Sequence, residues 1–382
     1  MKPFDLTPIR ILHVVGGMNR AGTETWLMHV LRHIDRDRFQ MDFLVHTDQP
    51  CAYDDEIRAL GSQIIPCLNP SKPWLYANNF KQILREYGPY NIVHSHVHHF
   101  SGYALWLAKQ AGIAVRIVHS HNDTSSIDAK AGLYRRLYLT LTKWLIDRSA
   151  TFGLAASHQA ATVLFNKAWE TDSRWKIFYC GVDLEPFYNY VDVVNTRDEL
   201  GIPADAFVVG HVGRFEQQKN HIFLLEIAAE VAKLDPKMYL LLVGDGTLRS
   251  EIKQKVMQMG LGDRVIFTGC RSDVPRLLGS MDMFLFPSFY EGLGLVLIEA
   301  QAAGKHCIFS DVVPEEVDVC KPLMRRISLA RSAFVWAEAV MATREATSAI
   351  KQLETLALIE RSPFNIQTGI ANLEKIYTLG MS

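Results

Sequence analysis

Apolar runs of four to eight residues alternate with amphipathic segments along most of the chain, the pattern of strand and helix units wound around parallel sheets. In the first half this pattern predicts strands at ILHVV (11–15), MDFLV (41–45), NIVHS (91–95), VRIVHS (115–120), TFGLAA (151–156) and WKIFY (175–179). A helix is predicted over 23–33, because Trp26, Leu27, Val30, Leu31 and Ile34 recur at helical spacing. A second series follows a polar, irregular stretch at 182–203. Its strands are FVVGHV (207–212), YLLLV (239–243), RVIFT (264–268), MFLF (283–286) and HCIFS (306–310). After Asp311 the strand signal fades. Residues 329–360 then read as Ala-rich helices, and 363–379 as one more.

Two such series predict an α/β protein with two doubly wound, Rossmann-like domains. The first is expected over 1–185 and the second over 186–363, followed by a helical segment at 364–382. Length agrees, since 382 residues exceed what one hydrophobic core usually organises. With 48% hydrophobic residues, 21% charged and a formal net charge of −1, the composition is that of a globular protein and does not call for nucleic acid. The six cysteines are scattered with no C-x-x-C pair, which speaks against a cysteine zinc site or a disulfide framework and fits a reducing cytosol. Residues 9–15 form too short an apolar run for a signal peptide, and no run approaches the eighteen residues of a spanning helix. A soluble or peripheral, cytoplasmic protein is expected.

Ligands of doubly wound sheets gather at the carboxyl ends of the strands, so the loops that follow strands carry the candidate chemistry. SFYEGLGLVLIEAQAAG (288–304) reads as a strand end, a glycine turn and a helix start, with Glu291 and Glu299 as its two carboxylates. First-turn amides lack intrahelical partners and the helix dipole favours negative charge there, which suits an anionic ligand. An ordinary glycine turn before a half-buried helix gives the same pattern. Further upstream, GRFEQQKNH (213–221) places Arg214 and Lys219 in one loop, able to clamp a diphosphate or simply to be solvated. VGDGTL (243–248) repeats the strand, glycine and helix order. After the first strand, GGMNRAGTE (16–24) is neither a dinucleotide fingerprint nor a P-loop, so hydride transfer and nucleoside triphosphate hydrolysis lose their usual support.

Histidines cluster in HSHVHHF (94–100) and VHSHND (118–123). Alternation puts His94, His96 and His98 on one face of an extended segment, which raises a metal site, but no Cys or carboxylate neighbours them at ligand spacing. His119 is expected to face a cleft from a strand end, or to be structural. The two glutamates cannot be a retaining glycosidase pair: on one helix they would lie roughly 12 Å apart along the axis, against about 5–5.5 Å. KAGLYRRLYLTLTKWLIDR (130–148) combines Arg135, Arg136, Lys143 and Arg148 with Leu133, Leu137, Leu141, Trp144 and Leu145, as a membrane-surface helix or an ordinary surface helix would.

In this order the motifs resemble the retaining glycosyltransferases of family four, which have the GT-B fold, over roughly 10–310. GGMNRAGTE looks like the first glycine loop of that family, GVDLEPF (181–187) its interdomain segment and GRFEQQKN its Arg/Lys loop. Glu291 and Glu299 form its E-x(7)-E signature. The opening segment together with VHSH and RIVHSHN looks closest to enzymes of bacterial exopolysaccharide or capsule synthesis. Two domains facing across a cleft are implied, with the 364–382 helix crossing back to the first. The resemblance assigns catalysis to His119, Arg214, Lys219 and Glu291. It assigns donor binding to Gly16, Gly17, Gly213, Arg214, Lys219, Asp245, Arg271, Val274, Glu291, Gly292, Gly294, Leu295, Val296 and Glu299. Glu299 would hold the ribose, Glu291 the sugar hydroxyls, Arg214 and Lys219 the diphosphate, and residues 271–274 the base. Where the family has an asparagine before GVD, this chain has Cys180, and beyond Pro314 the likeness weakens.

A retaining transfer of a hexose or N-acetylhexosamine from a nucleotide-diphosphate sugar, UDP-sugar favoured, to a lipid-linked saccharide acceptor is therefore expected. No metal or other cofactor is expected, and contact with an anionic membrane is. A GT-B sugar-nucleotide epimerase and a non-catalytic nucleotide-sugar or glycolipid binder are the alternatives.

Overall fold

A computed structural model describes residues 7–125, 128, 132–165, 168–345 and 350–381. Residues 130 and 131, which open the predicted basic helix, lie outside them. Contacts divide the chain into two units: the described residues up to Gly181 with those from Ile366 onward, and Val182–Asn365.

The first unit holds seven strands: β1 (Ile9–Val15), β2 (Phe39–Val45), β3 (Ile64–Pro66), β4 (Ile92–Ser95), β5 (Val115–Ser120), β6 (Phe152–Ala155) and β7 (Trp175–Ile177). They pair in the order β3-β2-β1-β4-β5-β6-β7, all parallel. Parallel sheets are covered on both faces, so their strands read as continuous apolar runs. β1 shows this with Ile11, Leu12, Val14 and Val15 all buried. The helix Ile366–Leu379 belongs to this unit and lies near helix Gly22–His33. At its end Glu374 accepts from the Asp35 amide at 3.3 Å, and Tyr377 is fully buried.

The second unit repeats the plan with β8 (Phe207–Val212), β9 (Met238–Val243), β10 (Val265–Gly269), β11 (Met283–Phe286), β12 (His306–Ser310) and β13 (Met324–Ile327), ordered β10-β9-β8-β11-β12-β13. Its core joins Val209, Leu240, Leu242, Leu285 and Ile308 of the sheet to Leu224, Leu225 and Trp336 of flanking helices.

Two strands carry no signal in the apolar pattern, β3 and β13. Each has only three or four residues at a sheet edge, and β13 includes Arg325 and Arg326. Arg326 instead pairs with Asp318 at 2.9 Å and stands over the Phe309 ring. The stretch 182–203 is not wholly irregular either. It contains helices Glu185–Tyr188 and Val193–Glu199, the second capped by Asp192 accepting from the Asn195 amide at 3.0 Å.

Candidate functional site

In each sheet the strand order reverses once, between β1 and β4 and between β8 and β11, and a ligand crevice opens at such a point. On the second sheet, Gly213, Arg214 and Lys219 follow β8, Asp245 follows β9, Arg271 and Val274 follow β10, and Glu291 to Val296 follow β11. Four neighbouring strand ends thus carry the predicted donor residues of this unit.

The loops after β8 and β11 are tied together. Gln218 accepts from the Phe289 amide at 2.9 Å through its carbonyl and donates to the Tyr290 carbonyl at 2.9 Å through its side chain. That brings Lys219 Nζ to 2.5 Å from Glu291 Oε1, with the ammonium also 4.6 Å above the Phe286 ring. Both charges are largely buried, Lys219 at 14% and Glu291 at 6% side-chain exposure, so each depends on the other for compensation. The loops after β8 and β9 are joined by the Phe215 amide donating to the Asp245 carbonyl at 2.9 Å. They approach so closely that a Cβ on Gly244 would stand 2.1 Å from the Gly213 carbonyl oxygen.

Gly294 adopts φ +90°, a left-handed conformation that glycine takes without steric cost, and it opens helix Leu295–Ala302. The turn aims the first helical amides away from the helix body. Glu299 stands on that helix, half-buried, and burial pushes its carboxyl up to about 7. Arg214 is exposed. Two predicted residues are already engaged: Asp245 binds Arg249 at 2.8 Å, and Arg271 forms a two-pronged contact with Asp273, 2.8 Å at each prong. That guanidinium holds the Asp273 carboxyl down at about 2.

Gly16, Gly17 and His119 lie in the first unit. Gly17 is confined by Thr47 and Cys51, which a Cβ would meet at 3.0 and 3.1 Å. Of the two readings of His119, its packing within the first unit is that of a buried side chain. It is fully buried, with Trp26 edge-on at 5.1 Å, Phe178 at 5.6 Å, the His94 ring stacked at 5.4 Å and the His121 ring at 4.0 Å. Strand pairing explains the crowding: His13 is level with His94 across β1 and β4, and Ser95 with Val118 across β4 and β5, so His96 comes level with His119. Alternation then places His13, His94, His96, His119 and His121 on one face. His13 Nδ1 is 3.0 Å from His96 Nε2, His96 Nδ1 is 2.9 Å from His121 Nε2, and His94 Nδ1 meets the Tyr377 hydroxyl at 2.9 Å.

Gln218, Phe286 and Tyr290 were not singled out in the sequence. An uncharged glutamine beside Lys219 and aromatic residues near a strand end give no signal until the two loops meet.

The chain matches the family model described as glycosyl transferases group 1 over residues 192–331 and that of glycosyltransferase family 4 over residues 20–186. It is 36% identical over 375 residues to EpsF, a glycosyltransferase candidate of Bacillus subtilis (strain 168), covering 97% of this chain and 96% of the relative. It is 25% identical, over 80% of both chains, to the Escherichia coli UDP-Gal:alpha-D-GlcNAc-diphosphoundecaprenol alpha-1,3-galactosyltransferase. Anabaena Alr3699/HepE, solved in complex with UDP and glucose, superposes with a TM-score of 0.80 at 19% identity, covering 98% of this chain and 100% of that one. Each unit has a parallel, Rossmann-like sheet with helices, and the structural neighbours are GT-B glycosyltransferases.

Proposed function

Because the chain belongs to the group 1 and family 4 glycosyltransferases, we propose that it transfers a hexose or N-acetylhexosamine, with retention of configuration, from a UDP-sugar to a lipid-linked saccharide. The observation that carries the reading is the buried Lys219–Glu291 pair beside the amino end of helix Leu295–Ala302, at the strand reversal of the second sheet. Charge develops on the diphosphate as the glycosidic bond breaks. Oriented cations and helix amides in a water-poor site stabilise that charge more than water does. Lys219 and Arg214 supply the cations, Leu295 and Val296 the amides. Glu291, held by Lys219, accepts from sugar hydroxyls, while Glu299 accepts from the ribose. His119 has no place in this scheme. In this reading Arg214, Lys219 and the helix amides, rather than a metal ion, meet the charge of the diphosphate.

UDP is favoured because the HepE structure contains it, and a lipid-linked acceptor because the Escherichia coli relative acts on a diphosphoundecaprenol sugar. Among the described residues no helix is long and apolar enough to cross a membrane. Helix Leu133–Ser149 nevertheless presents Leu133, Leu137, Leu141 and Trp144, each between 52% and 72% exposed, as a stripe at i, i+4, i+8 and i+11. Arg135, Arg136, Lys143 and Arg148 add positive charge to the same helix, with Arg148 over the Trp144 ring. Such a face suits an anionic bilayer in which the acceptor lipid resides.

The test is product analysis. The chain is incubated with a panel of UDP- and GDP-sugars and a saccharide on a lipid diphosphate, then examined by mass spectrometry and by NMR of the new anomeric centre. One UDP-sugar giving an α-linked product from an α-donor supports the reading. Inversion, preference for GDP-sugars, or an epimerised nucleotide sugar formed without acceptor would overturn it. Sedimentation with anionic but not zwitterionic vesicles checks the membrane face.

A further inference from the structure

The histidines of the first unit are unused by the transfer chemistry proposed above, and their geometry is that of a ligand set. His96 follows β4, His119 is on β5 and His121 follows it. One ring nitrogen from each lies within 4.8 Å of the others. Both nitrogens of His119 are buried and neither finds a hydrogen-bond partner. The Phe178 backbone acts on the ring as a weak hydrogen-bonding neighbour. A fully buried side chain with unpaired polar atoms carries a desolvation cost, and a cation bound to one of its nitrogens would remove part of it. His96 and His121 are only partly buried, which gives solvent a route to the set. We infer that His96, His119 and His121 form a binding site for a divalent transition ion of the zinc class.

The nitrogens lie within 4.8 Å of one another, so small ring rotations bring them to the spacing an ion requires. Tetrahedral zinc with bonds of about 2.0–2.1 Å sets its nitrogen ligands ~3.3 Å apart. His96 Nδ1 and His121 Nε2 are already 2.9 Å apart, sharing a proton that the ion replaces with a shift of a few tenths of an ångström. Imidazole suits zinc, copper and nickel, whereas calcium and magnesium take oxygen. Three ligands leave the fourth position to water. The other nitrogens of two ligands are held from behind: His96 Nε2 by His13 Nδ1 at 3.0 Å, and His121 Nδ1 by Cys180 Sγ at 3.7 Å. Metal-binding histidines are commonly oriented by such outer partners. A second grouping, His13, His94 and His96, also meets the distance condition. Its His13 and His94 are fully buried, and His94 Nδ1 is committed to Tyr377.

The experiment uses the tag-free full chain, stripped with chelator and dialysed. Zinc uptake is measured by calorimetry and by elemental analysis, and cobalt is added as a spectroscopic probe. The expected result is one equivalent of zinc per chain. Cobalt should give the strong visible bands of a four-coordinate nitrogen site, without the near-ultraviolet charge transfer of a thiolate. His121→Asn and the similar-volume His119→Phe should each abolish one-to-one uptake, and zinc should raise the thermal midpoint of the parent but of neither variant. Absence of saturable uptake by the parent overturns the inference, and requires no variant to fold. Uptake that survives both substitutions overturns it equally. Transfer activity is not the readout, so this result and the proposed reaction stand or fall separately.

Discussion

The two sheets reverse their strand order in the same way, yet the residues set at the two reversals differ in kind. At β8 and β11 a lysine and a glutamate are paired within loops, beside a helix start whose amides point outward. At β1, β4 and β5 five imidazoles and Trp26 are packed against the strands themselves. Loops place charge where a ligand's charge can meet it, whereas strands place neutral rings where they face one another. One topology therefore supports a site that acts on an anionic ligand and a packed imidazole cluster separate from the transfer chemistry. Substitutions of the Lys219–Glu291 pair should alter kinetics, and those in the imidazole cluster of the first sheet should alter stability.

The largest effect is expected for Lys219→Ala. Losing one oriented cation at a developing negative charge should lower kcat roughly 100-fold or more, measured with saturating donor in protein whose hydrogen-exchange protection in β8 and β11 is retained. Near-normal turnover would remove the proposed role of the pair. Next is Glu291→Gln, which keeps shape and removes a charged acceptor worth about 1.5 kcal/mol or more to a sugar hydroxyl. A fall in kcat/KM of roughly 10-fold is expected, and an unchanged value would remove both the proposed sugar contact and any kinetic need for Glu291 to hold Lys219.

At the first sheet Tyr377→Phe deletes the hydroxyl that satisfies buried His94 Nδ1. A loss of about 1–2 kcal/mol in the unfolding free energy of that unit is expected, with kcat within twofold. A large kinetic effect would collapse the distinction between the two reversals. The smallest effect concerns Glu299. Its carboxyl, raised from 4.5 to about 7, binds a proton more tightly folded than unfolded between those values. Stability therefore falls as pH rises from about 4.5 through 7, by roughly 1 kcal/mol after allowance for its partial exposure. Glu299→Gln should flatten that fall in thermal midpoints taken from pH 5 to pH 8; an identical slope would assign the proton to another group.

Eleven strands were legible because buried parallel strands are predominantly apolar, as FVVGHV and MYLLLV are. The edge strands β3 and β13 were not, since an edge segment of three or four residues needs no such run. In the second unit the charged candidates could be chosen from residue type and position, but the 2.5 Å contact depends on Gln218, whose amide carries no such signature. The histidines were visible as two separate clusters. Their union was hidden because it depends on the register of β4 against β5 and of β1 against β4, and His13 stands alone in its own segment. For His119 the sequence left both a cleft-facing and a structural position open, because a strand-end residue faces solvent or the sheet's covering helix according to its parity, and Trp26 covers this one.

Helix Ile366–Leu379 completes the first unit although the whole second unit is encoded before it. The second unit is closed on itself at that junction, where the Val182 amide donates to the Phe364 carbonyl at 2.7 Å. During synthesis at about 5–20 residues per second, the ribosome needs roughly 10–40 s to travel from Gly181 to the end of that helix. Throughout this interval Phe39 and His94 lack Tyr377 as a neighbour. The inserted unit can thus mature first on the ribosome, and the nascent first unit offers chaperones an uncovered patch until its closing helix emerges.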